Sequence, residues 1–289
     1  MPQSPSLRSK LARRGLLQLM AAHSPLSAKL VEEAGFDGIW ASGFELSALY
    51  GLADVSLTTM TQHLDMVRAM ADQSSLPIVA DIDTGFGSAI NLDYAVRQYE
   101  RAGAAAVVIE DKVFPKVTSL IEGSQQTLIS IAEFQGKIRA ALGARSSDDF
   151  VVIARTEALI AGLGQEEALS RTRAYAKAGA DLILVHSKSK TPDEVESFVR
   201  AWDLPVPVVL IPTAYPQLTN AKIEELGKVK IVIFGNHAIR ACVTAMQEVF
   251  ARIRGDGGIQ NLGSDIVPVT EIFRLQGMAR IQELEKRYC

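Results

Sequence analysis

Short apolar segments recur along the chain between stretches that have the composition of helices. They are largely hydrophobic rather than alternating, and most are rich in β-branched residues. Such segments are typical of strands in a parallel sheet that is covered on both faces. The pattern predicts eight strands. They cover residues 16–22, 36–41, 77–82, 104–109, 150–154, 181–185, 206–211 and 231–234.

Three predicted helix-to-strand junctions share one local pattern. EEAGFDGIW, ERAGAAAVVIE and AKAGADLILVH each combine a helix end, a glycine and a strand. Gly35, Gly103 and Gly179 are expected in the left-handed conformation that ends a helix. Helices alternating with buried strands imply right-handed βαβ units, which form a closed barrel or an open doubly wound sheet. Eight strands favour a single (β/α)8 barrel domain of the TIM type over residues 1–289.

Residues 255–289 lie outside the eight repeats. The segment begins with GDGGIQNLG and continues with SDIVPVTEIFRLQ, which predicts a final helix with Ser264 or Asp265 as its cap. This C-terminal helical extension is expected to pack on its own barrel or on a neighbouring subunit.

Composition narrows the functional classes. The 289 residues are 48% hydrophobic and 22% charged, with a formal net charge of -3 and no stripe of basic residues. Nucleic-acid binding is therefore not expected, and a small anionic substrate would need local positive groups. Two cysteines cannot form a disulfide framework or a four-ligand zinc site, which favours a reducing cytoplasm. No apolar run suits a signal peptide or a membrane span, so no membrane partner is expected.

Carboxylates follow two neighbouring strands at the predicted barrel rim, where α/β barrels bind substrates. Asp81 and Asp83 stand two residues apart, so a strand continuing through both would turn both carboxylates to the same side. Glu110 ends the next strand, and adjacent strands lie ~4.8 Å apart. The three acids could share one Mg2+ or Mn2+ ion, because these metals prefer oxygen ligands. The alternative is that they cap helices or pair with lysines.

Two basic side chains follow later strands. Arg155 comes near the end of a strand in VVIARTE, where its planar fork suits a phosphoryl or carboxylate group. An ion pair with Glu157 or Glu110 is the structural alternative for this arginine. His186 could position a water or donate to an oxyanion, although a lone histidine is as often structural.

A Ser-Gly-Phe step follows the second strand. Gly43 lets the chain approach a ligand closely, so backbone N–H groups at Ser42, Gly43 and Phe44 could face an anion. An ordinary turn is the alternative. Trp40, just before this step, is expected to form a pocket wall. The glycines of DTGFG do not make a nucleotide phosphate loop, because G-x-x-x-x-G-K-[ST] is absent.

A long mixed loop over residues 112–123 connects Glu110 to a later helix through Pro, Thr, Ser and Gly. Such loops at a barrel rim are candidate lids. Lys116, Thr118 and Ser119 would be its polar contacts with the site. The alternative is a solvated surface loop.

These motifs together resemble the phosphoenolpyruvate mutase and isocitrate lyase superfamily, most closely its phosphonopyruvate-processing members. The resemblance covers nearly the whole chain, and the motifs occur in the same order. They are VEEAGFDGIWASG, DIDTGFG, EDKVFPK, VIARTEALIAG, AGADLILVHSK, GNHAIRA and EIFRLQ.

The resemblance implies a Mg2+ site at Asp81, Asp83 and Glu110, with Mn2+ or Co2+ as possible substitutes and Asp54 as a further polar residue nearby. It implies a gating loop whose Lys116 enters the site on closure. It also implies a homotetramer, a dimer of dimers that exchange a terminal helix. The implied substrate contacts are Ser42, Gly43 and Phe44 at the carboxylate, Trp40 at the wall, and Arg155 and His186 at the phosphonyl end.

The lid sequence separates the reactions of this superfamily. Its carbon–carbon lyases carry a proton-donating Cys in a K-[KR]-C-G-H type sequence, whereas this loop reads PKVTS. Mutases resemble PKTNS, and members that hydrolyse phosphonopyruvate carry Val and Thr, as Val117 and Thr118 do here. The resemblance therefore implies hydrolysis of the P–C bond of phosphonopyruvate to pyruvate and phosphate, with Mg2+ stabilising the enolate. A mutase, a carbon–carbon lyase and a non-catalytic anion-binding barrel remain alternatives. The expected catalytic residues are Lys116, Thr118, Arg155 and His186.

Overall fold

Eight parallel strands form a closed barrel in the computed structural model, each pairing with the next along the chain and the last with the first. The structure describes residues 6–13, 15–119, 121, 123 and 125–289, with the side chain at position 264 outside this description. The strands are β1 (Leu17–Ala22), β2 (Gly38–Ala41), β3 (Ile78–Asp81), β4 (Ala104–Glu110), β5 (Val151–Thr156), β6 (Leu182–Val185), β7 (Val208–Leu210) and β8 (Val229–Phe234).

All eight strands predicted from the apolar segments are present, with each end within two residues of its predicted position. The closed sheet confirms the TIM-type barrel and excludes the open doubly wound alternative. Gly35, Gly103 and Gly179 follow helix ends at φ of 81°, 92° and 105°, which confirms the left-handed conformation expected of them.

Helices precede, connect and follow the strands along the chain, and no helix among the described residues is long and apolar enough to cross a membrane. They are α1 (Leu7–Ala12), α2 (Pro25–Glu33), α3 (Gly43–Leu49), α4 (Met60–Ala71), α5 (Ala89–Arg101), α6 (Ile131–Ala144), α7 (Gly164–Lys177), α8 (Asp193–Ala201), α9 (Asn220–Glu225), α10 (His237–Asp256), α11 (Val269–Leu275) and α12 (Met278–Tyr288).

Alternate residues of each strand pack on opposite sides of the barrel wall. In β5, Ile153 belongs to the cluster that fills the barrel interior, whereas Val152 and Ala154 belong to the larger cluster shared with the helices. Burial on both sides explains why the strand segments are continuously hydrophobic. Leu7 of α1 joins the interior cluster, against which Leu17 at the start of β1 also packs, so α1 covers the amino end of the barrel. The carboxyl end is left for the site.

The chain divides into two compact units, one up to His237 and the other Ala238–Cys289. Within the second unit, the prediction of one final helix is wrong, because α11 and α12 are separated by Gly277 at φ of 70°. The predicted cap at Asp265 is also wrong, since Asp265 ends a short 3-10 turn and Pro268 precedes α11. The side chain of Ser264, the other cap candidate, lies outside the described part.

Candidate active site

A cavity opens at the carboxyl ends of the strands, on the rim where the sequence predicts polar residues. Most of the predicted site residues line it. Of the other three, Gly43 follows the lining residue Ser42 in the sequence, Asp83 pairs with Lys116, and Glu110 pairs with Arg155. The predicted residues that line it are Trp40, Ser42, Phe44, Asp54, Asp81, Lys116, Thr118, Arg155 and His186.

The backbone brings three carboxylates to one part of this rim. Asp81 and Glu110 are the last residues of the paired strands β3 and β4, and both side chains are buried. The condition for both carboxylates to lie on one side of a strand is not met, because β3 ends at Asp81 and Asp83 adopts a φ of 53°. Asp83 stays close nevertheless, since its N–H donates to Asp81 Oδ1 at 3.3 Å and its carbonyl accepts from the Glu110 N–H at 2.8 Å.

Lys116 of the lid pairs with two acids of the cavity. Its Nζ lies 2.8 Å from Asp54 Oδ1 and 2.5 Å from Asp83 Oδ1. Its backbone N–H donates to Ser56 Oγ at 3.1 Å, on the segment that carries Asp54. The lid is therefore docked over the site, with its lysine inside. The lysine pairing considered as an alternative to metal binding is present for Asp83 in this arrangement.

Arg155 and His186 lie together on the other side of the cavity. Arg155 Nε donates to Glu157 Oε1 at 2.6 Å and lies 3.4 Å from Glu110 Oε2, while its NH1 lies 3.9 Å from Asp81 Oδ2. Its NH2 is 3.0 Å from His186 Nδ1. The ion pair with Glu157 is thus present, yet both basic side chains still line the cavity. Both are placed to contact an anion there.

Burial disfavours the charged forms of the acids in the cavity. Burial raises the pKa of Asp81, and the charges of Arg155 and Lys116 oppose this rise only in part. Burial likewise raises the pKa of Asp83 to about 7, although Lys116 is beside it. Burial disfavours the charged form of Lys116 as well, but Asp83 and Asp54 outweigh it and raise the lysine pKa well above its usual value.

The acids have the chemistry of a site for a hard divalent cation. Their donors are all carboxylate oxygens, and Glu110 Oε1 is buried without a hydrogen-bond partner, 4.0 Å from Lys112 Nζ. In the described ranges, no three His, Cys, Asp or Glu side chains converge closely enough to hold a metal ion as they stand. The residues therefore fit a divalent cation by donor type and by one unsatisfied oxygen, while Lys116 lies beside Asp83.

The Ser-Gly-Phe step begins a helix rather than forming an isolated turn. Ser42 is the N-cap of α3, and its Oγ accepts from the Glu45 N–H at 3.3 Å. Gly43 and Phe44 occupy the first turn, where backbone N–H groups have no acceptor within the helix. A Cβ on Gly43 would lie 2.9 Å from Asp83 Oδ1, so only glycine fits against that carboxylate without movement.

Thr118 contributes a free hydroxyl to the cavity. Its Oγ1 is buried and has no hydrogen-bond partner in the described part of the chain. The Thr118 carbonyl accepts from Gln126 Nε2 at 3.0 Å, which holds the backbone of the lid at this point. Within the predicted lid, Leu120 and Glu122 lie outside the described residues. The hydroxyl is available to a water or a substrate.

Several residues at the site had no predicted role. Glu157 was predicted only as a possible ion-pair partner of Arg155, and Lys112, which lies 3.1 Å from Glu157 and is also buried, had no predicted role of its own. Ile211 lines the cavity, but an apolar residue at a strand end gives no functional signal. The remaining lining residues, placed at the rim or in the lid without assignment to substrate or metal, are Ser119, Thr213, Gly235 and Asn236.

A model of the phosphoenolpyruvate phosphomutase family matches residues 7–254, which is most of the chain. The chain belongs to this family. It is 58% identical to phosphonopyruvate hydrolase of Variovorax sp. (strain Pal2) over 288 residues, covering 100% of this chain and 99% of the relative. It is 43% identical to phosphoenolpyruvate phosphomutase of Tetrahymena pyriformis over 282 residues, covering 98% and 94% of the two chains.

The barrel of this phosphomutase-family member also has a close structural relative. A crystal structure of phosphonopyruvate hydrolase in complex with oxalate and Mg2+ superposes with a TM-score of 0.93 at 58% sequence identity, covering 98% of this chain and 97% of the other. The family relatives therefore include both a hydrolase and a phosphomutase, and the reaction must be argued from the site.

Proposed function

We propose that the protein hydrolyses the P–C bond of phosphonopyruvate, giving pyruvate and phosphate. The observation that carries this proposal is the buried, unpartnered hydroxyl of Thr118 in a cavity that also presents Arg155 and His186. It can accept a hydrogen bond from a water and donate one in turn, which suits orientation of a nucleophile. The 58% identity to phosphonopyruvate hydrolase over the whole chain supports the same reaction.

Mg2+ is the cofactor that the proposal requires, with Mn2+ or Co2+ as substitutes, and Asp81, Asp83 and Glu110 are its proposed ligands. The hydrolase relative contains Mg2+ together with oxalate. When bound, the ion would stabilise negative charge on the enolate oxygen of pyruvate. Asp54 would act beside it through Lys116, to which it is paired at 2.8 Å.

The substrate is proposed to lie with its two charged ends against opposite groups of the cavity. The free N–H groups of Gly43 and Phe44 would bind its carboxylate, and Ser42 would hold the start of that helix. Trp40 would form the wall. The guanidinium of Arg155 and the ring of His186 would bind the phosphonyl oxygens, because both line the cavity and lie 3.0 Å from each other.

The hydrolytic step follows from these contacts. A water held by Thr118 attacks phosphorus, so that a P–O bond forms while the P–C bond breaks. The electron pair of the P–C bond passes to the pyruvate fragment as its enolate, which then takes a proton from solvent to give pyruvate. The attacking water gives up one proton and keeps the other, so the product is hydrogen phosphate, and the proton lost balances the one that the enolate takes up. The charge of Arg155 and a hydrogen bond from the neutral ring of His186 would stabilise the phosphoryl oxygens during transfer.

Lys116 gives the docked lid its role in this proposal. Its two ion pairs and its backbone contact with Ser56 close the lid over the acids. Closure would exclude bulk water, leaving the water at Thr118 as the nucleophile. A phosphomutase would instead return the phosphoryl group to the enolate oxygen.

The test is to incubate the protein with phosphonopyruvate and Mg2+ and to follow the products by phosphorus NMR. Hydrolysis predicts loss of the phosphonate signal and growth of inorganic phosphate, with pyruvate detected in equal amount. Accumulation of phosphoenolpyruvate without phosphate would contradict the proposal and identify a phosphomutase.

The remaining proposals concern the oligomeric state and the cellular location of the enzyme. We propose a cytoplasmic homotetramer, a dimer of dimers in which the C-terminal helical extension of residues 255–289 is exchanged between subunits of a single-domain barrel. The many exposed apolar side chains of that extension support a partner surface; they include Ile266, Val267, Val269, Phe273, Ile281 and Leu284. Light scattering of the full chain and of a chain ending at residue 256 tests this by giving the number of subunits per particle. We expect four for the full chain and fewer for the shortened chain, and the same number for both would contradict the exchange.

A further inference from the structure

Glu157 is a buried carboxylate that joins the basic groups of the cavity to the lid. Its side chain is fully buried. Oε1 accepts from Arg155 Nε at 2.6 Å and lies 3.5 Å from His186 Nδ1. Oε2 accepts from Ser119 Oγ at 2.5 Å and lies 3.1 Å from Lys112 Nζ. Oε1 therefore contacts Arg155 and His186 of the cavity, and Oε2 contacts the lid.

Lys112 connects Glu157 to the part of the lid around Thr118. Its side chain is almost fully buried, and Nζ donates to the Val117 carbonyl at 2.8 Å and to Ser119 Oγ at 2.6 Å. Val117 and Ser119 flank Thr118. These two contacts lie within the lid, whereas the contacts of Ser119 and Lys112 with Glu157 join the lid to the end of β5. Glu157 thus receives two of its four partners from the lid.

The position of Arg155 depends on competition between acids. Its Nε is 2.6 Å from Glu157 Oε1 but also 3.4 Å from Glu110 Oε2. Asp81 Oδ2 is farther still, 3.9 Å from NH1. The contact with Glu157 is therefore the shortest of the three, and it sets the direction of the guanidinium.

The charge of Glu157 is secured by its partners. Burial alone would raise its pKa, but the charge of Arg155, the neighbouring His186 ring and the charge of Lys112 together hold the pKa well below its usual value. Its backbone N–H donates to the buried Asp111 Oδ1 at 2.8 Å, which fixes the chain at this point. The carboxylate is therefore held in its charged form.

We propose that Glu157 is a positioning residue that aims Arg155 and His186 at the phosphonyl end of the substrate, and that Lys112 couples this to lid docking. The inference rests on the proposed function. Both oxygens of Glu157 are already occupied by four protein groups, and Glu157 is not among the residues lining the described cavity. It therefore acts through its neighbours rather than by touching the substrate.

Glu157→Gln tests this role, because it keeps the size of the side chain and removes its charge. With phosphonopyruvate and Mg2+, we expect kcat to fall roughly 10- to 100-fold, the usual effect of removing a group that orients a catalytic residue. Binding of oxalate with Mg2+, measured by calorimetry, should not change, because oxalate has no phosphonyl group. A merely structural defect would weaken both.

The matched control is Glu167→Gln on α7. Glu167 is also paired with an arginine, Arg171, at 2.8 Å, but lies outside the cavity lining, so kcat should stay at the wild-type value. Glu157→Asp restores the charge at a shorter reach and should recover part of the lost kcat. Lys112→Met, which keeps the length of the side chain, should lower kcat with unchanged oxalate binding.

The outcomes separate the two proposals. If the wild-type protein releases no phosphate from phosphonopyruvate, the proposed function is wrong. If the wild type is active, an undiminished kcat in Glu157→Gln overturns the positioning role, and so does a parallel loss of oxalate binding. Should Glu157→Gln not fold, Glu157→Asp and Lys112→Met decide the matter, since wild-type kcat in both would overturn the inference.

Discussion

Two buried oxygen atoms at the site, on Thr118 and Glu110, lack hydrogen-bond partners among the described residues. The hydroxyl of Thr118 is buried without a hydrogen-bond partner among the described residues, and Glu110 Oε1 shares that condition. Unsatisfied buried polar atoms are costly in a protein that does not use them. A water at the first and a cation at the second would satisfy both. In the proposed mechanism, these individual side chains therefore set the reaction, and the barrel positions them.

The first prediction concerns the hydroxyl of Thr118. Thr118→Val removes the hydroxyl and keeps the branched shape, so the nucleophilic water would lose its orienting group. We expect kcat for phosphate release to fall about 100-fold, as for a misplaced reactant, with little change in KM. Steady-state assays of phosphate measure both constants. Wild-type turnover in the variant would remove Thr118 from the mechanism.

The second prediction concerns metal binding by Asp81. Asp81→Asn removes one charge from a buried set of acids at the end of β3, so the affinity for Mg2+ in the presence of oxalate should weaken more than about 10-fold. Calorimetric titration with Mg2+ measures this independently of turnover. Asp93→Asn is the control, because Asp93 is an exposed residue of α5 that pairs with Arg97 at 2.9 Å. Equal affinity in the Asp81 variant would show that the ligands are misassigned.

At the scale of elements, the ends of β3, β4 and β5 supply the acids and the arginine, and packed helices hold those ends in place. His63 of α4 and Tyr99 of α5 illustrate this support, since His63 Nδ1 and the Tyr99 hydroxyl are 2.8 Å apart and both side chains are buried. The pair joins two helices on either side of β3. Its strength should depend on pH.

The third prediction follows from the ionisation of His63. Burial, together with the charge of Lys116, lowers its pKa from 6.5 to about 4. Between those values the unfolded chain binds a proton that the folded chain does not, so stability should fall as the pH drops from about 6.5 to about 4. The loss from this residue would approach about 3 kcal/mol at the lower end.

Urea unfolding of the wild type and of His63→Gln, at pH values from 4 to 7, isolates that contribution. The difference in unfolding free energy between the two proteins should shift in favour of the variant as the pH falls. A difference that is independent of pH would mean that His63 is not the titrating group.

Across the whole molecule, the two ends of the barrel have different tasks. The carboxyl end holds the cavity, whereas the amino end holds a network around Asp181, at the start of β6. Asp181 pairs with Arg8 at 2.8 Å and with Arg145 at 3.0 Å, and it accepts from the Val152 N–H at 2.8 Å. In barrels of this type, groups at the amino end contribute to stability rather than catalysis.

The fourth prediction separates these tasks. Asp181→Ala leaves two arginines and one buried N–H without their partner, at a cost of about 2 kcal/mol. The melting temperature should fall by about 4 to 8 °C, while kcat and KM measured well below the transition stay at wild-type values. Calorimetry measures the melting temperature, and steady-state assays measure kcat and KM. A large loss of kcat with an unchanged melting temperature would contradict the division.

Local patterns were sufficient to predict most of the fold. Continuous apolar segments predict the eight strands because a parallel barrel buries both faces of each strand, and Gly35, Gly103 and Gly179 mark helix ends because few other residues adopt their φ values. The acids and Arg155 were predictable for a similar reason. They follow strands directly, and the carboxyl ends of parallel strands meet on one rim.

Contacts between distant segments could not be predicted in this way. The turn after β3 places Asp83 at a φ of 53°, and its carboxylate pairs with Lys116, 33 residues later in the chain. Glu157 gains its role only because Lys112 and Ser119 of the lid fold back onto β5. The energies that fix such positions come from burial and charge pairing across the fold, and no local pattern in the amino-acid sequence encodes them.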